Sequence, residues 1–130
     1  MWVLDTNTLI YFFKGEGRVA ERLLARPPRD IGIPAIALYE LQVGIAKSSS
    51  PEKRARQLAE LTSVVQVLPF HQHEAKAAAE LRAALERGGR PIGPCDTLIA
   101  GTALACGAIL VSRNTREFGR IETLRVEDWY

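Results

Sequence analysis

Cysteine, histidine and long apolar runs are scarce in this chain, and each scarcity closes a class of function. There are 2 cysteines and 2 histidines in 130 residues. Cys95 and Cys106 fall on what reads as one helix, where eleven residues at about 1.5 Å each separate them by roughly 16 Å. A disulfide reaches about 7 Å between Cα atoms, so both thiols are expected to be reduced, small core residues. His71 and His73 have no partners at zinc-like spacing and are expected on the surface at a helix start. No run of about 18 apolar residues could span a membrane. The N-terminal stretch lacks the basic start, apolar core and small-residue site of a secretory signal, so the expectation is a cytoplasmic protein.

What is present is a globular composition, 47% hydrophobic and 25% charged, sized for one domain over residues 1–130. The net charge is only +2. Thirteen of the 17 basic residues are arginine, the side chain whose planar fork suits phosphate.

Apolar periodicity and Gly/Pro punctuation give an ordered series of elements. Met1–Asp5 reads as a buried strand, Thr6–Lys14 and Arg18–Arg26 as helices, and Ile31–Ile33 as a second strand. A helix follows from Pro34 to Lys47, then "SSSP" as a loop with Ser50 as cap, and a helix over Glu52–Thr62. "VVQVLPF" is β-rich, and His71–Arg87 and Cys95–Cys106 read as helices. "AILVS", a loop and a short strand near Leu124–Val126 complete the series. "WVL" and "AILV" are apolar throughout instead of alternating, as in parallel strands covered on both faces. The expectation is a three-layer α/β/α domain with a short, mainly parallel sheet, whose ligands sit at the carboxyl ends of the strands.

Several carboxylates stand in unexpected places. Asp5 separates the apolar runs of "MWVLDTNTLIYFF" where strand hands over to helix. Taken alone it reads as a helix N-cap. Glu40 falls inside the stripe Ile33, Ile36, Ala37, Leu41, Gly44, Ile45, where it is either half of a buried salt bridge or a ligand. Asp96 leads the stripe Ile99, Ala100, Ala103, Gly107, and could again be a cap. "RNTREF" brings Asn114 and Glu117 to another strand end, where each alone would pass as a solvated loop residue.

Taken together, Asp5, Glu40, Asp96 and the Asn114/Glu117 loop would converge from four elements on one side of the sheet. Like charges about 5 Å apart repel by roughly 3 kcal/mol at an effective dielectric near 20, so such a cluster takes up protons or holds cations. No lysine or arginine shares a stripe with Glu40 or Asp96. Oxygen-only ligands select Mg²⁺ or Mn²⁺, and a metal-activated water beside phosphate hydrolyses it. Setting those four of the 15 acids aside leaves 11 against 17 bases, a surface suited to a polyanion.

"LDTNTLI", "ALYELQVG", "GRPIGPCDTLIAGTA", "LVSRNTREFGRI" and "LRVEDW" occur in the order and spacing of PIN-domain ribonucleases. The chain resembles VapC-type toxins of type II toxin–antitoxin pairs over essentially its whole length. The resemblance implies a single PIN domain, a homodimer, and Mg²⁺- or Mn²⁺-dependent cleavage of structured RNA. It further implies inhibition by a cognate VapB-type antitoxin. Family members cut tRNA or a ribosomal RNA (rRNA) loop, and the RPIGP-x-D and NTREF motifs resemble the branch acting on tRNA, including initiator tRNA. Carried over by position, Asp5 and Asp96 become the main metal ligands and Glu40 completes an acidic triad. Many relatives have Asp where this chain has Asn114, so Glu117 would serve as the fourth acid, directly or through water. Thr6 and Asn7 would support the site, and Arg90, Arg113 and Arg116 would contact phosphate.

Three rivals remain open. An aspartyl-nucleophile phosphatase wants a second Asp where Asn7 stands. A metal-free ribonuclease would need His71 and His73, which two residues apart face different ways on a helix. A catalytically inactive PIN-like module would bind RNA or protein only.

Overall fold

The computed structural model describes residues 1–130. Five strands form one sheet: β1 (Trp2–Leu4), β2 (Ile31–Pro34), β3 (Gln66–Leu68), β4 (Ile109–Val111) and β5 (Val126–Glu127). All pairings are parallel and the spatial order is β3-β2-β1-β4-β5. Seven helices connect them: α1 (Thr6–Lys14), α2 (Val19–Leu24), α3 (Ala35–Lys47), α4 (Glu52–Thr62), α5 (Gln72–Arg87), α6 (Pro94–Ala105) and α7 (Thr115–Phe118).

Successive strand residues point to opposite faces, and here successive residues are buried: Val3 and Leu4, all of β2, Leu110 and Val111. Both faces of the central strands are therefore covered, as the unbroken apolar runs require. The edge strand β3 is mostly exposed, with only Leu68 partly buried. Helices α5 and α6 pack closely because α6 is built of small residues. A Cβ added at Gly101 would fall 2.6 Å from the Cβ of Ala78 on α5, so nothing larger than glycine fits that crossing.

Several boundaries differ from the sequence reading, each for a physical reason. Pro34 ends β2, its register partner being Leu68, instead of opening the helix. Pro51, not Ser50, precedes α4, and no side chain caps that helix. The last strand lies at Val126–Glu127 because it is pinned by Leu110 and Val111 of β4. Cys106 ends up exposed beyond α6, and Cys95 is half-buried, so neither thiol is a core residue. Gly44 is likewise exposed, which narrows the apolar stripe of α3 to Ala37 and Leu41 at its buried centre. His71 and His73 are exposed at the start of α5, where the Glu74 carboxylate accepts the His71 backbone N–H at 2.6 Å. No helix is long and apolar enough to cross a membrane.

The strand order places the site. From β1 the chain steps outward to β2 and β3, then returns to the other side of β1 for β4 and β5. Loops leaving β1 and β4 therefore diverge, and a crevice opens between their carboxyl ends.

Candidate active site

Asp5 leaves β1 at that crevice. Its backbone N–H donates to the Val111 carbonyl at 3.1 Å, and the Thr8 hydroxyl donates to the same carbonyl at 3.2 Å, tying β1, β4 and α1 together. The Asp5 carboxylate accepts the Thr8 N–H at 2.9 Å, so the residue is indeed the N-cap of α1. Capping engages one oxygen, and Asp5 also lines a cleft of about 240 Å³ with Asn7, Tyr11, Arg113 and Asn114. Burial pushes its carboxyl above the usual range, opposed by hydrogen bonds from the Ser112 hydroxyl and Thr8.

The other acids arrive by the same βα geometry. A helix that follows a parallel strand starts at the carboxyl edge of the sheet, which puts the first turns of α3 near Asp5. Helix α6 precedes β4 and must enter from the same edge. Glu40, half-buried on α3, accepts the Thr6 hydroxyl at 2.6 Å. No cation pairs with it: the two ion pairs of the molecule are Arg18–Glu21 and Arg82–Glu86, both exposed and away from the site. The buried salt bridge is thereby excluded for Glu40.

Asp96 sits in the first turn of α6, where the helix dipole favours a negative charge. That field loses. Burial first, then the charges of Asp5, Glu117 and Glu40, push the Asp96 carboxyl up to about 6. The same three acids singled out in the sequence thus act on the fourth. Glu117, on α7, is held by the Asn114 side-chain amide at 2.8 Å, so Asn114 and Glu117 work as a unit instead of as alternatives.

Three contributors were not visible in the sequence. Ser112 is fully buried, touches the Asp5 carboxylate, and accepts the Asn114 N–H at 3.0 Å, joining two acid-bearing loops. Cys95 lies against Glu40, and burial together with Glu40 and Asp96 pushes its thiol up. Arg120 donates to the Pro91 carbonyl at 2.9 Å and so fixes the loop that presents α6. A buried serine ending an apolar strand was the one available signal. The expected phosphate contacts separate: Arg113 lines the cleft, whereas Arg90 and Arg116 are exposed and bond to none of the acids.

No three His, Cys, Asp or Glu side chains are drawn together as a preformed metal cage. The donor set nevertheless suits a hard cation, because Mg²⁺ binds through one or two carboxylates and keeps most of its water. Four acids without a counter-cation supply that.

A PIN-domain family model matches residues 2–124. The tRNA(fMet)-specific endonuclease VapC of Shigella flexneri is 39% identical over 129 residues, covering 98% of this chain and 97% of that protein. Its Salmonella typhimurium counterpart is 38% identical over the same shares. Among solved structures, Rickettsia felis VapBC2 bound to a promoter DNA fragment superposes with a TM-score of 0.92 at 34% identity, over 99% of this chain and 98% of that one. DNA-bound VapBC from Salmonella typhimurium also gives 0.92, at 38% identity and the same coverage. Matched over nearly its full length in both sequence and fold, the chain belongs to the VapC branch of the PIN-domain family.

Proposed function

We propose that this chain is the toxin of a type II toxin–antitoxin pair, an endoribonuclease that hydrolyses structured RNA with Mg²⁺ or Mn²⁺. The substrate is tRNA, initiator tRNA in particular, and a VapB-type antitoxin restrains a homodimer of the enzyme. The carrying observation is that Asp5, Glu40 and Glu117, from three other elements, all bear on Asp96 with no ion-paired cation among the four. The names of the relatives in Shigella and Salmonella support the choice of substrate.

Each residue has a task in this reading. Asp5 and Asp96 would hold the cation, with Glu40 and Glu117 completing its surroundings directly or through water. Once bound, the ion supplies a water of lowered pKa and charge to offset that developing on the phosphate. Thr8 and Ser112 fix the Asp5 carboxylate, Thr6 fixes Glu40, and Asn114 fixes Glu117. Asn7 lines the cleft beside Asp5. Protons would compete with the cation for Asp96, so metal affinity should fall as pH drops below about 6.

Water as nucleophile leaves a 5′-phosphate and a 3′-hydroxyl and does not require the 2′-hydroxyl of the RNA. Purified protein should cut tRNA with Mg²⁺, stop in EDTA, and lose at least about a hundredfold in rate in Asp5→Asn, while Asn preserves the cap. Glu40→Gln should lose most activity yet melt like the wild type, since its partner is a hydroxyl and not a buried cation. Cyclic phosphate ends formed in EDTA would overturn the mechanism. The absence of a preformed cage favours a second reading, a module that binds RNA without cutting, and intact tRNA after incubation with Mg²⁺ and Mn²⁺ would select it.

A further inference from the structure

The segment after β5 closes on the rim of the acidic cleft. Trp129 is buried and donates its Nε1–H to Glu127 at 3.0 Å, which anchors the segment beside the sheet. The next residue, Tyr130, seats on the turn between α1 and α2. Gly17 has a φ of 62°, and a Cβ there would fall 2.8 Å from both the Cα and the Cγ of Tyr130, so glycine alone leaves the seat open. The Arg18 N–H donates to the Tyr130 carbonyl at 3.1 Å.

From this seat the Tyr130 ring meets Tyr11 edge-on, centroids 4.9 Å apart at 76°. The guanidinium carbon of Arg113 lies 3.6 Å from the Tyr130 centroid and 5.8 Å from that of Tyr11. Tyr11 and Arg113 line the same cleft as Asp5. Arg113 follows Ser112, which touches the Asp5 carboxylate, so the open course for its charge is to fold onto the acids and neutralise them. It makes no such ion pair. The aromatic faces give the cation a competing place to rest.

We propose that Tyr130, seated on Gly17 and paired with Tyr11, is a positioning residue that holds the Arg113 guanidinium off the carboxylates at the mouth of the cleft, to meet an RNA phosphate next to the scissile one. The Tyr11 and Tyr130 side chains also draw on the guanidinium's hydrogen bonding, and the remaining donors of its five-donor fork are left for that contact. The inference rests on the ribonuclease reading above.

The test compares Tyr130→Leu, Tyr130→Phe, Arg113→Ala and the Tyr130→Leu/Arg113→Ala double variant on a fluorescent tRNA. Leucine keeps an apolar side chain in the seat and removes the ring together with its hydroxyl, and Tyr130→Phe removes the hydroxyl alone. Tyr130→Leu should raise KM about two- to fivefold at unchanged kcat, the worth of one exposed cation–π contact. Tyr130→Phe should restore wild-type KM. Arg113→Ala should raise KM about tenfold and reduce the salt slope of binding by about one, and adding Tyr130→Leu to it should change nothing further. Anisotropy of the same RNA in EDTA supplies the affinity whether or not cleavage occurs. A wild type that binds but does not cut overturns the ribonuclease reading alone. A Tyr130→Leu protein that binds like wild type, or penalties that add in the double variant, overturns the positioning role. A wild type that binds no RNA overturns both.

Discussion

Arg26 lies 4.4 Å from the ring centroids of both Trp2 and Trp129, whereas Arg113 lies against Tyr11 and Tyr130. The chemistry is the same, a guanidinium over aromatic faces, but the surroundings differ. The Nε of Arg26 is buried without a partner and its Nη1 donates to the Arg22 carbonyl at 2.6 Å, so little of its fork is left to meet anything else. Arg113 is exposed, and although it bonds to the Tyr11 and Tyr130 side chains, no acid pairs with it. A desolvated cation–π contact contributes about 2 kcal/mol, an exposed one about 0.5–1 kcal/mol. Enclosure therefore turns one clamp into a structural tie between α2, β1 and the chain end, and openness leaves the other for a ligand. Sequence alone presents both as basic residues in an arginine-rich chain.

The largest expected effect is on the enclosed clamp. Arg26→Ala loses two sheltered contacts and should destabilise the protein by about 2–4 kcal/mol in urea unfolding. A loss below about 1 kcal/mol would erase the distinction between the two clamps.

A middle-sized effect comes from the acids that bear on Asp96. The Asp96 carboxyl is raised from 3.8 to about 6, so the folded state favours its protonated form. The stability this gives is fully present below pH 3.8 and is lost as pH rises through about 6. Taken whole, the shift is worth roughly 3 kcal/mol, and solvent screening of a half-exposed group reduces that to about 1 kcal/mol. Without metal, Asp96→Asn should then be about 1 kcal/mol more stable than wild type at pH 7 and indistinguishable from it near pH 3.5. Added Mg²⁺ should stabilise the wild type more than the variant. A wild type that gains stability from pH 4 to 7 relative to Asp96→Asn would mean that the four acids do not repel.

The smallest effect sharpens the contrast from the open side. Arg113→Ala should change unfolding stability by less than about 0.5 kcal/mol while weakening RNA binding. A cost like that of Arg26→Ala would make both clamps structural.

How much of this was legible depends on where each partner sits in the chain. Asp5 was visible because its oddness is local, a carboxylate between two apolar runs, and its cap and cleft roles turn out to be compatible. Glu40 and Asp96 stood out against helical periodicity, which needs only neighbours within a few turns. The strands were legible as apolar runs, and their parallel arrangement followed from the helices between them. By contrast, the seat of Tyr130 on Gly17 and the Trp129 ring over Arg26 depend on residues about a hundred positions apart. Ser112 looked like the polar end of a strand until β4 was placed beside β1. Cys95 reads as a core thiol in sequence, and only the approach of α3 to α6 shows that it abuts Glu40.

The pairing of β1 with β4 has a consequence for how the protein is made. Trp2 is matched to Ile109 and Leu4 to Val111, so the central strand waits for a neighbour more than a hundred residues further along. Contacts of such separation form late in folding, because a long loop must close first. During synthesis, Asp5 emerges early, while Ser112, Asn114 and Glu117 are still untranslated. A chain growing from the ribosome therefore carries an unassembled cleft for most of its synthesis. The cleft is completed only once the last fifth of the chain has been made.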